Sequence, residues 1–350
     1  MNRNFINISF AMMVLLGLSA CGGSGSESSG SSTATSDVSI RFSDAPIGEL
    51  SEVVITVDKL VFNREGEDIV VDRFTSVDLD IEDADTFQID LLQVQGRDNL
   101  LVLDSVTLPV GDYQNLRIVV LDEDTDLTYV VEKDDIERKQ LKVPSNELKL
   151  GSFTVSNEST QTFVVEFALN QAMTYNPKNG NGGKDRYILK PRGIRVVKLA
   201  DASDIEGTVD LANIHLRAPC DTKEDQTIGN VVYLYEGHGL DSTLLGDLFV
   251  REGGSAEFQE FDGNVPANII QPVASATVDT EEVYGKYLFS YLQPGNYTLA
   301  ISCVAQNDDP VIYNGSAIPA PAAQIIELEL GSETSLECNF PDEEQCTVIN

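Results

Sequence analysis

Tryptophan is missing altogether from these 350 residues, histidine occurs twice, and lysine plus arginine number 23 against 57 aspartates and glutamates. Each shortage removes a class of function. Without tryptophan the commonest sugar-stacking platform is gone, which weakens carbohydrate binding as a reading although 11 tyrosines remain. A serine-histidine-acid centre needs a histidine held by an acid, and a zinc peptidase needs two or three nitrogen ligands. His215 and His238 both fall in expected loops, and His238 with Asp241 forms only a lone H-x-x-D; both read as surface histidines. Neither G-x-S-x-G nor H-E-x-x-H occurs, and among 57 acids no single pair stands out for glycoside hydrolysis. The net charge of -34 repels nucleic acid and anionic headgroups. No catalytic residue, metal site or cofactor is expected.

Long apolar runs are also scarce. Phe5 to Leu18, behind Arg3, is apolar apart from Asn7, Ser9 and Gly17. It falls short of the roughly 20 residues a membrane-spanning helix needs, and it reads as the core of an export signal. It ends in Leu18-Ser19-Ala20-Cys21, which resembles the lipobox of bacterial lipoproteins. The resemblance implies cleavage before Cys21 and a diacylglycerol on its thiol, hence a membrane anchor. Gly22, where retained lipoproteins carry Asp, implies transport to the outer membrane, with its face left open. Residues 22–36, GGSGSESSGSSTATS, have no apolar residue except Ala34 and read as a flexible tether spanning roughly 20 Å.

Cysteine is sparse but confined. Apart from Cys21, the four cysteines Cys220, Cys303, Cys338 and Cys346 all lie in the C-terminal part. An even number in an exported chain reads as two disulfides with three possible pairings. The turn-forming Asn-Phe-Pro-Asp-Glu-Glu-Gln segment favours Cys338 with Cys346, leaving Cys220 with Cys303. No C-x-x-C spacing suggests zinc.

A long amphipathic helix is the last absence, and period-two alternation takes its place. Val53, Ile55 and Val57 share one parity, which shifts at Leu60 and Phe62 and predicts a bulge near Asp58-Lys59. Phe163, Val165, Phe167 and Leu169 share a face with Glu166 and Asn170 opposite, while Leu116 to Leu121 reads as buried on both sides. The class is all-β, with two Greek-key β-sandwich-like domains in tandem at 37–200 and 201–350, following a signal peptide at 1–20 and a lipidated tether at 21–36.

Phe42-Ser43-Asp44-Ala45-Pro46, Ile89-Asp90-Leu91-Leu92, Leu108-Pro109-Val110-Gly111-Asp112-Tyr113 and Leu189-Lys190-Pro191 resemble the domain-of-unknown-function family numbered 4382 over about 37–200. That family is found in bacterial lipoproteins and has no assigned activity. Ile205 to Asp210, Val231 to Tyr235, Gly285 to Phe289 and Leu292-Gln-Pro-Gly-Asn-Tyr-Thr-Leu299 resemble a carboxypeptidase regulatory-like or Cna-B-type sandwich over about 204–303, with an insertion at 237–272. Pro294-Gly295 fits a tight turn in which Gly takes a positive φ, and Tyr297 sits where a tyrosine corner would bond back. The 108–113 segment echoes that device.

Two charge features invite sites. Lys178, Lys184, Arg186, Lys190, Arg192, Arg195 and Lys198 suggest anion binding, set against the preferred reading of pairing with acids such as those of 78–85. Asp122, Asp124 and Asp126 alternate like EF-hand ligands, although Leu127 and Lys133 fail that loop; a calcium site would borrow Asp80, Asp83 or Asp85. The expectation is a noncatalytic outer-membrane lipoprotein acting as a binding, adhesion or envelope-scaffold module toward an unidentified envelope or extracellular partner. The alternative is a cell-surface enzyme acting on polysaccharide or peptide. Oligomeric state is left open.

Overall fold

The computed structural model describes residues 34–45, 50–176, 185–250, 265–280, 284–341 and 346–349. The signal segment, Cys21 and most of the tether lie outside them, as do Pro46, Lys178 and Lys184. Residues Ala34–Asn350 form one compact unit. It is all-β: among the described residues no helix is longer than four residues.

The first strand, Thr35–Asp44, begins within the stretch read as tether and alternates as far as Phe42, with Val38, Ile40 and Phe42 fully buried; Ser43 and Asp44 at its end are buried as well. It pairs in parallel with Thr160–Phe167 and antiparallel with Leu100–Pro109, and Ile194–Lys198 lies outside Thr160–Phe167. Facing this sheet is a second one organised on the 15-residue strand Leu50–Arg64. Its register shifts between Val57 and Lys59, and this bulge lets Val53, Ile55 and Val57 share one core with Leu60 and Phe62.

The strand buried on both faces is not the expected one. In Asn115–Val120, Leu116, Ile118 and Val120 are buried, but Arg117 and Val119 are half-buried. Arg117 needs that open face, where it meets Asp68 and Glu147. Instead Phe163 through Phe167 are all at most 2 % exposed, Glu166 included, and Val197 is 2 % exposed. Leu169 is buried as expected, but in a single helical turn, Leu169–Ala172, beyond the strand.

The strands from Ser203 onward build a second sandwich whose pairing repeats the first. Ser203–Asp210 pairs antiparallel with Tyr284–Leu292 and in parallel with Ser335–Glu337. Val231–Glu236 pairs antiparallel with Gly295–Ser302, which pairs antiparallel with Ile325–Leu330. In the first sandwich Thr35–Asp44, Leu100–Pro109 and Thr160–Phe167 stand in the same three-way relation, and Leu50–Arg64, Asn115–Val120 and Glu147–Lys149 repeat the other.

Both sandwiches also close the same corner. Tyr113 Oη donates to the Pro109 carbonyl and Tyr297 Oη to the Gln293 carbonyl, each at 2.8 Å and each four residues back. The glycines differ. Gly111 has φ +141°, whereas Gly295, which opens a strand opposite Leu330, lacks the positive φ expected of it; the nearby Tyr291 has φ 51°. Cys220 is joined to Cys303 and Cys338 to Cys346.

Candidate functional site: the cleft between the two sandwiches

The outward face of the sheet bearing Thr160–Phe167 carries polar residues in register: Glu166 lies directly opposite Arg195. Arg195 Nη2 donates to Glu166 Oε2 and, at 3.2 Å, to the carbonyl of Ser290 in the second sandwich. Nearby Arg97 reaches across with Nε to Asp204 Oδ2 at 2.8 Å and Nη1 to Glu206 Oε2 at 2.7 Å. Tyr291 Oη donates to the Arg97 carbonyl at 2.5 Å and accepts from Asn99 Nδ2 at 2.7 Å. Asn170 Nδ2 reaches the carbonyl and Oγ of Ser275 at 2.9 and 2.8 Å. Covering one sandwich with the other explains why Val164, Glu166 and Val197 are buried despite their outward parity.

Between these contacts lies a cavity of about 480 Å³. Glu166, Ala168 and Arg195 wall it on one side; Glu206, Thr208, Leu288 and the strand Ala274–Thr277 wall it on the other. Burial pushes the Glu166 carboxyl up to about 6 despite the guanidinium beside it. Asp44 is fully buried next to the cleft residue Ala45. Burial, reinforced by Glu166, pushes its carboxyl well above the usual range.

Residues 35–191 match the family described as Domain of unknown function (DUF4382). This segment is a DUF4382 domain. No curated protein matches the chain. Among solved structures, the Bacillus anthracis TIE protein is 11% identical, with 90% of this chain and 34% of that one covered and a TM-score of 0.17. A leucine-rich repeat protein from Bacteroides thetaiotaomicron is 10% identical, with 89% and 27% covered and a TM-score of 0.22. The minor pilin GBS52 of Streptococcus agalactiae is 11% identical, with 90% and 97% covered and a TM-score of 0.18. The chain thus spans about a third or less of the first two.

Several residues singled out in the sequence serve the fold. His215 is not a surface residue: it is 7 % exposed, ends the turn Leu211–Ile214, and its Nε2 lies 2.9 Å from Asn230 Oδ1. His238 Nε2 donates to the Leu328 carbonyl, while Asp241 binds Thr243. In the basic stretch, Arg195 pairs with Glu166 and Lys198 with Glu158 at 2.5 Å. Three of the acids of 78–85 are engaged elsewhere, Asp78 by Arg41 and Asp83 and Asp85 by Arg73. Of the Arg195 and Lys198 pairs only Arg195 with Glu166 is cross-strand, because neighbouring strands place those residues directly opposite.

Asp122, a candidate calcium ligand in the sequence, is tied down within the fold. Its carboxylate is 2 % exposed and accepts from Lys142 Nζ at 2.9 Å, the Val143 amide at 2.7 Å and Asn146 Nδ2 at 3.1 Å. Asp124 caps the amides of Asp126 and Leu127, and Asp126 faces Arg138. Among the described residues no group of three or more histidines, cysteines or acids is placed to hold a metal ion.

A second buried polar cluster had no sequence signal. On the outer face of the second sandwich, Tyr233 Oη donates to Asp308 Oδ2 at 2.7 Å and the Leu248 amide to Oδ1 at 3.1 Å. Asp247, fully buried, accepts from the Ser316 amide at 2.8 Å. Burial, with Asp247 adding to it, pushes the Asp308 carboxyl up to about 7 against the hydrogen bond from Tyr233. A carboxyl raised in the folded state holds its proton there after the unfolded chain, near 3.8, has lost it. Stability is therefore present at low pH and falls as pH rises from about 4 to about 7. Asp308→Asn should flatten this dependence and stabilise the protein above pH 7 by roughly 2 kcal/mol, since Tyr233 Oη can turn to accept from the new amide. Denaturant midpoints from pH 5 to 8 measure it; parallel profiles for parent and variant would refute the assignment.

Proposed function

We propose that this chain is a lipid-anchored lipoprotein of the outer membrane, held through Cys21, acting as a noncatalytic binding, adhesion or envelope-scaffold module. One observation carries the binding half: the cleft of about 480 Å³ whose walls are rigid strands contributed by both sandwiches. A concave site on a rigid scaffold keeps its shape without a ligand, which lowers the cost of binding. Two of its wall carboxylates are tied down, Glu166 by Arg195 and Glu206 by Arg97. The anchor rests on Leu18-Ser19-Ala20-Cys21 and Gly22. The partner is an envelope or extracellular component, and the charge of -34 disfavours nucleic acid.

Cys21→Ser should abolish acyl labelling and release the protein from membranes; unchanged labelling would sink the anchor. The detergent-solubilised parent should be retained saturably on its own envelope and show no turnover on polysaccharide, peptide or ester panels. Turnover that survives repurification and disappears on substituting one acidic residue would establish the enzyme alternative.

A further inference from the structure

We infer that the cleft takes an extended peptide segment bearing lysine or arginine side chains, added as a fifth strand to the open edge of Ala274–Thr277. This rests on the binding reading above and names its ligand. Ala274–Thr277 is the outermost strand of its four-stranded sheet, with Val231–Glu236 as its ladder partner; just beyond it the Asp279 amide donates to the Lys286 carbonyl at 2.9 Å and closes that end of the free edge. The amide of Val278 donates back to the Asn230 carbonyl at 2.9 Å, so alternation along the strand turns the backbone groups of Ser275 and Thr277 the other way. Asn170 confirms that direction by taking the Ser275 carbonyl from the open side. The Ser275 and Thr277 amides and the Thr277 carbonyl are left at the edge, where both residues line the cleft. An unpaired strand edge is a template for a further strand, and the side chains here (Ala, Ser, Ala, Thr) are short enough for a backbone to approach.

The walls specify the sign of the guest. Glu166, Glu206, Glu337 and Asp279 line the cleft with Arg195 and Lys286, so carboxylates outnumber cations on its walls. Arg195 and Arg97 answer two of the three glutamates; Glu337 has no cationic partner among the described residues and accepts only from Asn339 Nδ2 at 3.1 Å. The surplus charge at the mouth is thus negative, within a chain of net charge -34 that concentrates cations around it. Alternate residues of an added strand point to one face, so every second side chain of the guest meets this wall.

The test uses the full-length chain in detergent and three fluorescent heptapeptides in which valine alternates with lysine, serine or glutamate, read by anisotropy. The lysine peptide should bind at least tenfold tighter than the serine peptide, with the glutamate peptide weakest. Thr277→Pro, which removes an edge amide not used by the sheet, should weaken the lysine and serine peptides at least tenfold. Glu337→Lys should weaken the lysine peptide alone and remains decisive if the proline variant fails to fold. Equal affinity for the three peptides, or parent-like binding by both variants, overturns the inference. Envelope retention without any peptide binding sinks the strand-addition site and spares the broader binding reading; loss of retention sinks the latter.

Discussion

Gly207→Ala is expected to cost the protein roughly 3–5 kcal/mol, among the largest effects of any single methyl group in the chain. Gly207 lies on the inward parity of Ser203–Asp210, between Ile205 and Val209, both fully buried in the second core. A Cβ there would sit 1.7 Å from the carbonyl oxygen of Cys338 and 2.8 Å from Tyr287 Oη. That space is filled by design of the fold: Tyr287 Oη donates to the Cys338 carbonyl at 2.6 Å, and the Cys338 amide donates to the Glu206 carbonyl at 2.8 Å. Backbone cannot swing aside as the end of a long side chain can, so the parallel pairing with Ser335–Glu337 has to give. Denaturant titration followed by tyrosine fluorescence measures the loss, and a cost under about 1 kcal/mol would show that Cys338 does not cross so close.

Removing the Cys220–Cys303 bridge by double alanine substitution should cost about 4 kcal/mol, and removing Cys338–Cys346 only about 2–3 kcal/mol. The ranking follows from chain entropy. The first bridge closes a separation of 83 residues in the unfolded chain, the second a separation of 8. Cys220 and Cys303 are also fully buried in the second core, so truncating them removes packing as well. Unfolding midpoints of the two double variants under the same conditions decide the matter. A larger loss from the short loop would mean that native-state packing, rather than the unfolded chain, governs the contribution of these bridges.

The cleft itself was only faintly legible. Phe163-Val164-Val165 and Val196-Val197 are apolar on both parities, which signals strands covered on both faces, yet the stretch that drew this reading was Leu116 to Leu121. The difference lies in what each strand's outer face meets: Arg117 faces Asp68 and Glu147 near solvent, while Glu166 faces Arg195 beneath the second sandwich. Arg195 drew notice as a member of a basic stretch. Its partner, and the role of Arg97, depend on strands far away in sequence, as the 107 residues between Arg97 and Asp204 illustrate.

By itself the sequence determined what depends on near neighbours. Alternation set the strands and their apolar faces, the shift of parity at Asp58-Lys59 set the bulge, and the two Gly-x-Tyr segments set matching corners. Tertiary structure decided everything that depends on what covers a polar group. It buried His215 against Asn230, committed Asp122 to Lys142 and two amides, left Gly295 without a positive φ, and pressed one sandwich onto the other around a cleft. The physical reason is that a period of two records which side of a strand is apolar, whereas the cost of burying a charge is set by partners that only the folded chain brings within reach.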